Sequence, residues 1–129
     1  MHTIASTGAA VDNWCMADPI ATADRIDSYG AFWPYYLREH AKPRTRQIHY
    51  VGTTLMLLAF ATFIVTGNVL WLLATPIAGY GFAWVGHFFI EHNKPATFKY
   101  PVWSFISDLR MYFTWLAGRL AGELKSAGV

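Results

Sequence analysis

Histidines carry most of the chemistry this sequence could perform. There are five, at His2, His40, His49, His87 and His92. His2 stands in a polar N-terminal stretch and is set aside. His49 and His87 are, apart from tyrosine hydroxyls, the only ionisable side chains in the 44 residues 47–90. Arg46 bounds that stretch on one side and Glu91 on the other. An ionisable group inside an apolar segment is a functional candidate by default. Glu91 follows His87 by four residues, which on an α-helix puts carboxylate and imidazole on one face. His92, five residues on, falls well round the helix and suits an outer or headgroup position. Imidazoles with one carboxylate and no thiolate suit Fe(II) or Zn(II). Two histidines and a carboxylate with open positions are the usual non-haem Fe(II) set for oxygen chemistry. The sequence has no HExxH zinc-protease motif and no CxxCH haem attachment. Its single cysteine, Cys15, excludes an internal disulfide framework and a cysteine-based zinc site.

The elements that must position these groups follow from the same uncharged stretch. A membrane-crossing helix needs roughly 20 apolar residues, so residues 47–90 hold two, about 47–66 and 69–90. Gly67-Asn68 is the turn between them. His49 lies 19 residues before Asn68 and His87 lies 19 after it. At about 1.5 Å per residue, both stand about 28 Å from the turn. Antiparallel helices therefore bring both imidazoles to one depth at one end of the hairpin. His40 reaches the same end through the break at Pro43. Pro76 is placed to kink the second helix. Gly79, Gly81, Ala83 and Gly86 give that helix a small-residue face for close packing.

The flanking segments complete an all-α architecture: a transmembrane hairpin with amphipathic or partly inserted helices on either side. Over the whole chain 54% of residues are hydrophobic, 17% aromatic and only 14% charged, a profile suited to a small membrane protein rich in interfacial Trp and Tyr. Residues 1–23 form a polar extension without the basic and apolar regions of a signal peptide. Residues 24–124 form one helical membrane domain, and 125–129 a tail. Within that domain, Tyr29, Phe32, Trp33, Tyr36 and Leu37 share a helical face over 24–41. Pro34 suits the first turn of the helix proper. The last helix spans about 102–124, with Val102, Phe105, Leu109, Tyr112 and Leu116 on one face, and frays from Gly122. Asp108 and Arg110 within it favour a place along the interface; a full crossing would need Asp108 turned inward. Lys42, Arg44 and Arg46, with Lys94 and Lys99 after the second span, mark this end as cytoplasmic. Lys42, Arg44 and Arg46 could also attract an anionic substrate. The net charge of +2 comes without any nucleic-acid-binding motif, so a membrane surface is the expected partner, not nucleic acid. The location implied is the inner membrane in a bacterium or the endoplasmic reticulum in a eukaryote.

Two blocks carry a resemblance. One is Tyr35-Tyr36-Leu37-Arg38-Glu39-His40 with Ile48-His49-Tyr50-Val51-Gly52. The other runs from Trp84 through Gly86-His87, Glu91 and Pro95-Ala96. Together they resemble the membrane 2-hydroxy fatty acid dioxygenase family, over about residues 24–120. The Gly-His-x-x-x-Glu-x-x-x-Pro-Ala block is the most specific part. The resemblance implies a membrane enzyme of fatty-acid alpha-oxidation. Such an enzyme uses Fe(II) and O₂ to shorten a 2-hydroxy fatty acid by one carbon. Its motif histidines fall on His40, His49 and His87 and its motif glutamate on Glu91; His92 has no counterpart. A zinc-dependent membrane hydrolase with the same cluster, and a non-enzymatic lipid-binding membrane protein, are the competing readings.

Overall fold

A computed structural model describes residues 25–129, and among these every regular element is helical. The expected extension over 1–23, with His2 and Cys15, lies outside the described residues.

Helix α1 (Tyr29–Glu39) starts where the Ser28 hydroxyl accepts the Ala31 N–H at 3.2 Å. It is shorter than the expected 24–41, and Pro34 sits inside it, not in its first turn. The missing N–H removes one helical hydrogen bond. Burial of Phe32, Trp33, Tyr36 and Leu37 on the other elements holds the helix regardless. Pro43 does two jobs: it follows the end of α1 at His40 and opens α2 (Pro43–Thr66) as that helix's first residue. The first long helix is therefore four residues longer than the uncharged stretch indicates. Its first turn carries Arg44 and Arg46, because charge does not stop a helix and proline starts one.

The hairpin turn is as short as a helical turn can be. Gly67, at φ +68°, caps α2 in the left-handed conformation that glycine adopts without strain. Asn68 then caps α3 (Val69–Val85), its side chain accepting the Leu70 N–H at 3.0 Å. The two long helices make the most extensive contact in the molecule, and glycine is what allows it. A Cβ on Gly52 would lie 2.7 Å from Phe82 Cβ and 3.2 Å from the Ala78 carbonyl oxygen. The second arm does not remain α-helical to its end. Gly86–Glu91 is a π-helical turn, closed by His92 at φ +60°.

A 3₁₀ turn (Ala96–Phe98) leads into α4 (Pro101–Leu116) and then α5 (Leu120–Ser126). The single helix expected over 102–124 is thus two, broken where Gly118 takes φ +74°. Nor is the C-terminal end frayed. Trp33 Nε1 donates to the Glu123 carboxylate at 2.6 Å, Arg38 donates to the Ala127 carbonyl at 3.3 Å, and Ala127 is buried.

Helix α4 is turned opposite to a water-soluble amphipathic helix. Its buried residues are Ser104, Ser107 and Met111, while Val102 and Leu116 are 67% and 58% exposed. The hairpin shows the same inversion, with Leu58, Ile64, Val65, Leu70 and Ile77 all exposed. Pro43–Thr66 and Val69–Glu91 are each long and apolar enough to cross a membrane, yet only 33% and 11% of their apolar windows are buried.

The close approach at Gly52 is open to test. Gly52→Ala must push Phe82 away and is expected to cost about 1–3 kcal/mol by overpacking. Gly81→Ala meets nothing within 4 Å and gains helix propensity, so it should be neutral or stabilising. Thermal unfolding of the two variants in detergent checks the contrast.

Candidate metal centre

Three helices each deliver one imidazole to a common point. His40 comes from the end of α1, His49 from the second turn of α2 and His87 from the π turn after α3. The ring centroids are 4.4 Å apart for His40 and His49, 4.5 Å for His40 and His87, and 5.1 Å for His49 and His87. All three residues are at least 96% buried, with 1%, 4% and 2% of their surface exposed respectively. One nitrogen from each ring lies within 4.8 Å of the others, close enough for a single ion to bind all three. Among the described residues this is the grouping of such donors that could hold a metal.

What surrounds the rings fixes their orientation. His40 Nδ1 is 2.7 Å from the Tyr36 carbonyl oxygen, one turn back on α1. His87 Nδ1 is 2.7 Å from Asn93 Oδ1. The Asn93 amide in turn donates to the Glu39 carboxylate at 2.8 Å and the Glu39 carbonyl at 3.1 Å. His49 Nδ1 is 3.5 Å from an Asp108 carboxylate oxygen. The Nδ1 atoms of His40 and His87 thus stand at hydrogen-bonding distance from an oxygen, an arrangement that suits a proton on Nδ1 and a lone pair on Nε2. The Nε2 atoms of His40 and His49 are buried with no hydrogen-bond partner. Buried polar atoms seldom go unpaired, and a lone pair that finds no donor is what a metal ion would use.

The electrostatics agree. His40 stands outside the two long helices. Its burial, with His49 and His87 beside it, holds the imidazole well below its usual range, so the ring is neutral. The neutral form is the one that can ligate. Tyr36 stacks close to His40, at 4.1 Å between centroids, and its hydroxyl donates to the Asp108 carboxylate. Burial, then the Asp108 charge, push that phenol well up, so it keeps its proton and serves as a donor.

The carboxylate suggested by sequence spacing is placed elsewhere. Glu91 is outside the three-histidine grouping, and its side chain accepts the backbone N–H of Lys42, tying the start of α2 to the end of the second arm. Glu91 lies four residues after His87 within the π turn, and its bond to Lys42 directs the carboxylate away from the rings. His92 is exposed. Lys42 Nζ donates to the Ile90 carbonyl at 2.8 Å, and Arg46 donates to the carbonyls of His40 and Ala41, each at 2.7 Å. Arg44 is exposed. The carboxylate near the cluster is Asp108, a charge inside an otherwise apolar helix. That anomaly is the signal that could have identified it. Asn93 gave no signal beyond its place in a helix-stopping Asn-Lys-Pro run.

The fold and the cluster define a class: a small all-helical protein whose elements meet at a buried trio of imidazoles. The particular family follows from comparison. Residues 26–120 match the family described as 2-hydroxy-palmitic acid dioxygenase Mpo1-like, and the chain belongs to it. No curated protein and no solved structure matches the chain.

The acceptors behind the rings generate a prediction. An ion held by the three Nε2 atoms should bind about 10–100-fold more weakly after Asp108→Asn or Asn93→Ala, since each change weakens the hydrogen bond that orients a ligand. Anaerobic Fe(II) titration of the purified variants measures this.

Proposed function

We propose that this protein is an Fe(II)-dependent dioxygenase that shortens 2-hydroxy fatty acids by one carbon at a membrane interface. The observation that carries the reading is the set of three buried imidazoles, each with its Nδ1 within 3.5 Å of an oxygen, in a chain of this family. His40, His49 and His87 are the ligands. Nitrogen donors without thiolates suit Fe(II), and three such ligands leave positions open for substrate and O₂. Glu91 acts from outside the ligand set, by holding the two arms together at the level of the rings.

Bound iron would supply the oxygen chemistry, and the protein the positions and the exclusion of water. Tyr36 and Asp108 steady His49, and Asn93 steadies His87. The buried aromatic cluster of α1 and α4 closes the inner side. The reaction balances with O₂ as sole oxidant: a 2-hydroxy acid and O₂ give the acid one carbon shorter, CO₂ and water. The C1–C2 bond breaks, and C1 leaves as CO₂.

The membrane assignment rests on the outward apolar faces of α2, α3 and α4. A water-soluble protein rarely leaves so much contiguous apolar surface uncovered. On this reading residues 24–124 are one integral membrane domain. The basic residues Lys42, Arg44, Arg46, Lys94 and Lys99 gather at the histidine end, and this bias supports a metal centre on the cytoplasmic side. Arg44, exposed beside that end, remains the candidate to attract a substrate carboxylate, since Lys42 and Arg46 are engaged with backbone carbonyls.

The test is elemental analysis of protein purified without oxygen, followed by turnover of 2-hydroxypalmitic acid. About one iron per chain is expected. The His49→Ala, His87→Ala double variant should keep the helical circular dichroism and lose the metal. The wild type should consume O₂ and release the acid one carbon shorter. Zinc with oxygen-independent activity would replace this reading with a hydrolase, and failure to bind Fe(II) at all would overturn it.

A further inference from the structure

Two adjoining cavities lead away from the histidines. The smaller, about 90 Å³, begins at His49 and Asp108 and runs past Thr53, Gly79 and Tyr80. The larger, about 540 Å³, is bounded by Leu57, Phe60, Leu72 and Leu109. They share Met56, Thr75, Pro76 and Phe105 as walls, so they are two chambers of one groove between the hairpin and α4. Its character changes along its length. Imidazole and carboxylate stand at one end. In the far chamber the lining is apolar but for Thr75, whose hydroxyl is taken by the Trp71 carbonyl of its own helix at 3.0 Å.

We propose that this groove is the acyl-tail site of the enzyme, holding one unbranched chain with its head at the histidines and its end towards the Gly67-Asn68 turn. The proposal rests on the dioxygenase reading for the identity of the head group, but the groove itself can be tested without turnover. Length supports a long tail. From His49 to Phe60 along α2 is 11 residues, about 16 Å of helix. With bonds of about 1.5 Å at about 111°, an extended alkyl chain advances about 1.25 Å per carbon, so this distance takes about 13 carbons. Shape supports a thin one. Gly79 is what lets Met56 lie between the chambers, since a Cβ there would be 3.0 Å from the Met56 Sδ. A flexible thioether at the narrowing can yield to a methylene chain. Phe60, Leu72 and Phe105 remain 45%, 39% and 42% exposed, so the groove opens sideways and a lipid could enter from the bilayer. Lipid tails are as apolar as these side chains, so burial from water does not drive entry. Selection comes from fit and from the head group, and Met56 and Phe105 set the width while Phe60 and Leu72 set the length.

The experiment uses the full chain in lipid nanodiscs, loaded with Fe(II), and a 2-hydroxypalmitic acid analogue bearing a diazirine near its methyl end. Photolabelling is expected on Phe60, Leu72 or Leu109 and should be displaced by excess 2-hydroxypalmitic acid. Label on the outward residues Leu58, Ile64 or Leu73, or label that excess ligand does not displace, overturns the groove. Leu72→Trp fills the far chamber. It should lower kcat/KM for the palmitic-length 2-hydroxy acid by about tenfold or more while leaving the octanoic-length acid within about twofold. Equal loss for both lengths overturns the length assignment. Should that variant fail to fold, Phe60→Ala enlarges the same chamber and should move the preference to longer acids; an unmoved preference overturns the assignment. Displaceable label in the groove of a protein that turns over neither acid would sink the dioxygenase reading and keep the groove. Turnover with label elsewhere would do the reverse.

Discussion

Everything in this fold bears on the burial of three imidazoles that share no counter-ion of their own. A buried polar atom left without a partner costs about 1–3 kcal/mol. An oxygen stands beside one nitrogen of each ring, and His40 and His49 each keep a second that meets no partner. Those oxygens come from three places, the α1 backbone at Tyr36, the loop residue Asn93 and the α4 carboxylate of Asp108, and Glu39 stands behind Asn93. Neither α1 nor α4 could leave without removing a partner at the centre. The cluster is the point at which α1, α2, the π turn and α4 are fastened together, and a ligand that used the free lone pairs would tighten all four.

The surface obeys a second constraint, which runs opposite to that of a water-soluble domain. Ser104, Ser107, His40, His49, His87 and Tyr36 face inward, while Leu58, Val65, Leu70, Val102 and Phe113 face out. Hydrogen bonds such as Tyr29 to Ser107 (3.1 Å) and Thr54 to Tyr112 (2.9 Å) hold α4 against α1 and α2 where a soluble bundle would use leucine. In surroundings as apolar as the side chains themselves, packing and interhelical hydrogen bonds are what remains to hold helices together.

Much of this was legible in the sequence because it follows from spacing alone. Equal distances from Gly67-Asn68 place His49 and His87 at one level, and the Pro43 break brings His40 there. What spacing could not show was direction. The stripe Val102–Phe105–Leu109 was visible, but periodicity does not say whether an apolar stripe faces protein or lipid, so the inward role of Ser104, Ser107 and Met111 was missed. Asp108 stood out as a charge in an apolar helix, yet nothing local named His49 as its neighbour. The spacing of Glu91 from His87 suggested a ligand, but spacing could not show that the Lys42 N–H takes its carboxylate. Gly118 broke the last helix through a single positive φ, which one glycine between Ala117 and Arg119 does not announce.

The two-residue turn has a further consequence for how such chains can vary. Because Gly67 and Asn68 contain no slack, the arms of the hairpin behave as a folded ruler. A residue lost from one arm alone would draw its histidine about 1.5 Å along the axis and about 100° round it, away from the other two. Length can change only where both arms change together by whole turns, or beyond the histidines. Relatives should thus keep the count between the two rings more strictly than the apolar residues that fill it, and gather their insertions before His40 and after α4.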